Sequence, residues 1–110
     1  MNKIMESMPP ISPYLLDQVE QALEIKLYAW QRAYIQDKYY DIEQTYGRQT
    51  GKTLAYIIKR LLSPQAIRKK KLWAYSDRKC GAKYYEWFSK QALEINEKLT
   101  EAGIKTCIVD

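Results

Sequence analysis

A glycine-containing segment at residues 47–53 constrains the fold of this chain more than any other feature. It reads Gly-Arg-Gln-Thr-Gly-Lys-Thr. Loops of this kind bind phosphate oxygens through backbone N–H groups, with the lysine on the terminal phosphates and the next hydroxyl on Mg²⁺. Such a loop follows a strand and opens a helix, whose positive end faces the same anion. The first glycine of the usual pattern falls at Tyr46, so the motif is a variant.

The pattern assigns a role to each position of the loop. We predict that Lys52 binds the terminal phosphates and that Thr53 binds Mg²⁺. The residues whose backbone would contact phosphate are Gly47, Arg48, Gln49, Thr50 and Gly51. The alternative is an ordinary turn before a helix, because Gly-Lys-Thr is common by chance.

Size and composition limit the remaining possibilities. The 110 residues suffice for one domain, which we place at 12–110 after a flexible arm at 1–11. No apolar run is long enough to span a membrane and residues 1–6 lack the apolar stretch of a signal peptide, so we expect a cytoplasmic protein. The chain has two cysteines and no histidine. We therefore expect reduced thiols, no zinc site and no histidine-based catalytic triad.

Two helices are predicted ahead of the loop. Ser12 and Pro13 form a helix start, followed by an apolar stripe at helical spacing. The stripe consists of Leu15, Leu16, Val19, Ala22 and Leu23. A second helix buries Leu27, Trp30, Tyr34 and Ile35. The break between them is expected near residues 24–26, although no Gly or Pro marks it.

Strands and helices alternate from residue 39 onward. We predict strands at 39–46, 72–75 and 104–109, and helices at 52–62 and after Asp77, which would cap the second of them. Gly103 suits the left-handed end of that helix. The alternation predicts an α/β fold with a small three-stranded parallel sheet and flanking helices, a truncated P-loop NTPase-like domain preceded by the two N-terminal helices.

The run Arg48-Gln49-Thr50-Gly51-Lys52-Thr53 resembles the phosphate loop in the N-terminal part of terminase large-subunit ATPases and related superfamily-2 helicases. Residues 28–31, Tyr-Ala-Trp-Gln, stand where those proteins carry an aromatic-x-Gln signature. In the family that glutamine reads the adenine edge, so the resemblance implies that Gln31 contacts adenine. It also implies Mg-ATP as the ligand, a role in DNA handling, and a phage or mobile-element origin.

The family's hydrolytic residues are matched less well. Residues 106–110 look like the acidic strand that holds Mg²⁺, which makes Asp110 a candidate metal ligand. No glutamate follows to polarise a water molecule, and no arginine finger can be assigned. We therefore name no catalytic residue, and we expect ATP hydrolysis only if another subunit completes the site.

A basic run follows the helix that the loop opens. Arg68, Lys69, Lys70 and Lys71 could contact DNA or RNA phosphates, and the net charge of +5 favours an anionic partner. Five aromatic residues that could stack on bases are interspersed with nearby cations: Trp73, Tyr75, Tyr84, Tyr85 and Trp87. The alternative is a solvated loop whose aromatic residues serve the core.

Two other functions stay open at this stage. One is a non-catalytic interaction protein, an adaptor or inhibitor of a replication, packaging or defence protein. The other is a basic nucleic-acid-binding domain whose loop holds backbone phosphate. A small sheet also leaves exposed edges, which predicts self-association or a partner protein.

Overall fold

The computed structural model describes residues 11–36, 51–79 and 81–109. Its elements, in chain order, are α1 (Pro13–Leu23), α2 (Ala29–Ile35), α3 (Lys52–Leu61), β1 (Ile67–Arg68), a 3₁₀ helix (Lys69–Tyr75), α4 (Ala82–Glu101) and β2 (Ile108–Val109). Most of the N-terminal arm, the strand predicted at 39–46 and loop residues 47–50 lie outside these ranges. The described chain is mainly helical with a small parallel sheet.

Helix α1 begins and ends by two different devices. The Ser12 hydroxyl accepts a hydrogen bond from the Leu15 N–H at 3.0 Å and Pro13 takes the first helical position, as predicted. At the other end Glu24 adopts a left-handed conformation with φ of 57°. Its N–H donates to Gln21 O, and the Ile25 N–H donates to Glu20 O. These two bonds form a Schellman motif, here without glycine.

Glu20 fixes the connection from α1 to α2. Its side chain is buried, and Oε2 accepts a hydrogen bond from the Leu27 N–H at 2.9 Å. The same oxygen lies 3.2 Å from Nη1 of Arg32, which also binds Asp17 at 3.0 Å. A buried carboxylate needs such partners, since an unpaired charge away from water is costly.

The sheet in the described part of the chain has two strands, not the predicted three. Strands β1 and β2 pair in parallel, with Ile67 opposite Ile108, which confirms a small parallel sheet, although β1 is not one of the predicted strands. The predicted strand at 72–75 is wrong, because these residues belong to the 3₁₀ helix. Only Leu72 of that helix is buried, whereas a strand would turn alternate residues inward. Of the third predicted strand, only Ile108–Val109 is extended and paired.

Helix α4 starts differently from the prediction. Its N-cap is Gly81, so the prediction that Asp77 caps it is wrong. The Asp77 carboxylate instead accepts hydrogen bonds from two side-chain hydroxyl groups. At the other end Gly103 has φ of 85°, which confirms the predicted left-handed residue. The Ile104 N–H then donates to Leu99 O at 2.9 Å, closing a second Schellman motif.

One hydrophobic core joins α1, α2, α3 and α4 with β1 and the 3₁₀ helix. Its largest fully buried side chains are Phe88, Leu16, Ile35, Ile58, Leu61, Ile67, Leu99 and Val19. Trp30 is buried too, which confirms it as a core residue. Among the described helices, none has the length and apolar character needed to cross a membrane.

Candidate functional site

The described part of the predicted phosphate loop forms the head of α3. Gly51 is the N-cap, with φ of 98°, a conformation that favours glycine. Lys52 is the first helical residue and is exposed, and Thr53 follows it half-buried. No acidic residue lies within the first turn itself, but the Asp77 carboxylate contacts Thr53 there. The helix that the loop should open is thus confirmed, whereas residues 47–50 lie outside the described part.

Gln31 lies directly beneath this helix head. Its side chain is only 3% exposed, and its Nε2 donates to Gly51 O at 3.0 Å. Its Oε1 accepts from the Tyr28 N–H at 2.8 Å. The structure therefore brings Gln31 together with Gly51, as the resemblance implies, but both polar atoms of the carboxamide already bind backbone groups.

An acidic residue that the sequence analysis gave another role stands beside Thr53. The Thr53 hydroxyl donates to Oδ2 of Asp77 at 2.8 Å. The Tyr84 hydroxyl donates to Oδ1 of the same carboxylate at 2.5 Å. Burial raises the pKa of Tyr84, and its hydrogen bond to Asp77 raises it further. One signal for this site was readable: Asp77 follows an apolar run soon after the loop and its helix.

A cavity of about 300 Å³ opens at this point. It is lined by Gly51, Lys52, Thr53, Leu54, Arg78, Tyr84 and Trp87. Its lining includes two cations, Lys52 and Arg78, and two aromatic side chains. The volume lies at the lower end of the range for small-molecule sites. The cavity can therefore accept a small anion that also carries an aromatic or apolar group.

Thr53, which lines this cavity, and its partner Asp77 also bear on the predicted Mg²⁺. Mg²⁺ prefers oxygen donors and usually takes one or two carboxylates together with phosphate and water. Thr53 and Asp77 supply such a donor pair within hydrogen-bond distance of each other. Among residues 11–36, 51–79 and 81–109, no group of three or more His, Cys, Asp or Glu could hold a metal. Asp110, the other predicted ligand, lies outside the described residues.

The basic run lies on a different element. Arg68 belongs to β1, and Lys69, Lys70 and Lys71 open the 3₁₀ helix, with all four side chains exposed. None of the five aromatic residues predicted as stacking platforms or core is fully buried. Trp73, Tyr75 and Trp87 are exposed, and Tyr84 and Tyr85 are half-buried. The rings of Trp73 and Tyr85 pair with centroids 5.9 Å apart. Tyr84 packs against the hydrophobic core, whereas base stacking stays a prediction for the exposed rings of Trp73, Tyr75 and Trp87.

A second concavity lies at the end of α1. It is lined by Asp17, Glu20, Gln21, Glu24, Ile25 and Lys26. Two of its three acidic groups, those of Asp17 and Glu20, pair with Arg32. This place stabilises the α1–α2 connection.

No protein-family model, curated protein or solved structure matches this chain.

Proposed function

We propose that the chain binds a magnesium nucleotide at the head of α3. The phosphates would lie against the N–H groups of residues 51–53 and the cations Lys52 and Arg78. Thr53 and Asp77 would hold Mg²⁺. The observation that carries this proposal is the Thr53–Asp77 pair, 2.8 Å apart, beside a cavity whose lining contains two cations. Bound Mg²⁺ would neutralise phosphate charge and fix the orientation of the phosphates.

The wider proposal follows the resemblance to terminase and helicase ATPases. The ligand would be Mg-ATP or Mg-ADP, within a truncated P-loop-like domain that takes part in DNA handling in the cytoplasm, that of a bacterial host if phage-encoded. A metal contact by Asp110 remains a prediction from that resemblance, and an adenine contact by Gln31 would require its carboxamide to leave Gly51 O and the Tyr28 N–H. Because no water-polarising residue is assigned, hydrolysis would need another subunit.

Calorimetry with Mg-ATP tests the proposal. We expect binding heat for the wild type, a loss of affinity of about tenfold or more for Lys52→Ala, and a weaker Mg²⁺ dependence for Asp77→Asn. Lys105→Ala is the matched control, because it removes the same charge beyond the far end of α4, whose twenty residues span about 30 Å. Equal heat in all four proteins, or none in the wild type, would contradict the proposal.

The second candidate is binding of single-stranded nucleic acid by the basic run. The observation that favours it is the exposure of Arg68 and Lys69–Lys71 close in the chain to Trp73, whose ring is 47% exposed. Binding of a fluorescent oligonucleotide without nucleotide should weaken steeply with salt, and the slope should fall by about one for Lys70→Ala. A slope near zero would exclude this function.

A non-catalytic adaptor or inhibitor remains the third candidate. In the described part of the chain β1 and β2 pair only with each other, so each has a second edge at which another chain could pair. Light scattering at several concentrations tests self-association, and a monomer throughout would count against it.

A further inference from the structure

Two aromatic side chains line the cavity at the head of α3: Tyr84, which also packs against the hydrophobic core, and Trp87, which does not. Tyr84 and Trp87 lie three residues apart in the first turns of α4, with ring centroids 5.4 Å apart and planes at 38°. Trp87 is 45% exposed, while the neighbouring Phe88 is the side chain that enters the core, at 1%. A large ring on the wall of a cavity that also contains cations is unusual for a site that holds phosphate alone.

Gln31 has little hydrogen-bonding capacity left for a base in this arrangement. Reading an adenine edge takes a donor and an acceptor that the ligand can reach. The Gln31 carboxamide has its donor on Gly51 O and its acceptor on the Tyr28 N–H, and the residue is 3% exposed. Its role here is to hold the backbone of the helix head. The base of a nucleotide must therefore gain its contacts elsewhere in the cavity.

The cations and the aromatic pair of this cavity suit two different ligand groups: the cations suit phosphate and the rings suit a base. Lys52 belongs to the first turn of α3, and Arg78 stands over the Tyr84 ring with its guanidinium carbon 5.9 Å from the centroid. Tyr84 is also fixed by its bond to Asp77. The more exposed ring, Trp87, is thus the one free to present a face to a ligand.

Resting on the proposed function, we propose that Trp87 is a stacking platform for the nucleobase, with Tyr84 packed beside it, and that the site does not select adenine. Stacking is tolerant of base identity, because every base has a π-face. The triphosphate would reach the head of α3 while the base lies on Trp87. Gln31 then acts as a positioning residue for Gly51.

Calorimetric titration with three ligands separates the two proposals. Mg-tripolyphosphate tests the phosphate site alone, and Mg-ATP and Mg-GTP add two different bases. In the wild type we expect ATP and GTP to bind within about threefold of each other, and both about tenfold tighter than tripolyphosphate. If tripolyphosphate and both nucleotides fail to bind, the proposed function fails. If tripolyphosphate binds and the bases add nothing, only the stacking proposal fails.

Variants of Trp87 assign the effect to its ring. Trp87→Ala should bring ATP and GTP to the affinity of tripolyphosphate and leave tripolyphosphate binding unchanged, and Trp87→Phe should restore most of the loss. Trp73→Ala is the matched control, since it removes another exposed tryptophan, 47% exposed, that lies outside the cavity lining. Trp73→Phe protein keeps two tryptophans, the buried Trp30 and the exposed Trp87, so a ligand that changes the fluorescence acts on Trp87. In this protein nucleotide should quench the fluorescence and tripolyphosphate should not. If Trp87→Ala still binds ATP and GTP more tightly than tripolyphosphate, the proposal is overturned.

Discussion

The carboxamide of Gln31 joins two segments twenty residues apart, donating from Nε2 to Gly51 O at 3.0 Å. Its Oε1 accepts the Tyr28 N–H at 2.8 Å, so one side chain ties the start of α2 to the head of α3. Buried polar groups of this kind are costly to leave unpaired. The geometry of the candidate phosphate site therefore depends on a residue of an earlier helix.

Replacement of Gln31 should destabilise the fold. We expect Gln31→Ala to lower the free energy of unfolding by about 1–3 kcal/mol, because the Tyr28 N–H loses its acceptor and Gly51 O keeps only its helical bond from the Ala55 N–H. Urea denaturation measures this. The matched control is Gln36→Ala, which also removes a donor from a backbone carbonyl, that of Ile11 at 2.9 Å, but from a half-buried position. Its loss should be no more than about 1 kcal/mol. Equal losses would show that burial of Gln31 does not matter.

Gly51 should tolerate no side chain while Gln31 is present. A Cβ there would stand 2.3 Å from Gln31 Nε2, and φ is 98°. Gly103→Ala, at φ of 85° with open space around it, is the control for backbone strain alone, about 1–2 kcal/mol. We expect Gly51→Ala to cost about 1 kcal/mol more than that. Urea denaturation of both variants measures the difference.

A double-mutant cycle then isolates the contact between the two residues. In Gln31→Ala/Gly51→Ala protein the added methyl group no longer meets the carboxamide. The loss of stability in the double variant should therefore be about 1 kcal/mol smaller than the sum of the two single losses. Strict additivity would mean that Gln31 moves aside at no cost when Gly51 gains a side chain, so that the two residues do not clash.

The helices could be predicted because their apolar residues recur with a clear period. Residues such as Leu16 and Val19 in α1, or Phe88 and Ala92 in α4, face the core as their spacing indicates. The run at 72–75 is too short to carry a period, so a 3₁₀ helix and a strand could not be told apart.

Long-range pairs were the part of the site that the sequence could not reveal. Asp77 bonds Thr53 across twenty-four residues of chain, and its place after an apolar run does not identify Thr53 as its partner. Glu20 reads as a surface residue of α1 until Arg32 of α2 is brought to it. Tertiary packing creates both sites, whereas the loop pattern at Gly51–Thr53 is local and was readable.

Of the two Schellman motifs, only the one at the end of α4 could be predicted from the sequence. Gly103 marks the end of α4 in the sequence, whereas α1 ends at Glu24, which has no such signature and adopts φ of 57°. Glu24→Gly should raise the free energy of unfolding by about 1 kcal/mol, because glycine adopts this conformation without strain. Thermal or urea unfolding measures it. Glu24→Ala removes the same charge but keeps the strain, so it should not stabilise; equal gains in both variants would assign the effect to charge.

The bond between Tyr84 and Asp77 predicts a loss of stability in alkali. Burial, and then the hydrogen bond to Asp77, raise the pKa of Tyr84 above its ordinary value of 10.0, although Thr53 and Arg78 oppose the rise. The folded state therefore holds this phenolic proton more tightly than the unfolded state. Its contribution to stability is fully present below the unfolded pKa and is lost as pH rises through the raised folded pKa.

Urea denaturation at about pH 8 and about pH 10.5 tests this prediction. Tyr84→Phe should lose less stability than the wild type between the two pH values, because it has no proton to release at that position. Tyr14→Phe is the matched control, since Tyr14 is 71% exposed. Between the two pH values this variant should lose as much stability as the wild type. An unchanged pH dependence in Tyr84→Phe would mean that the hydroxyl is not held by Asp77 in solution, and would remove one support of the Thr53–Asp77 site.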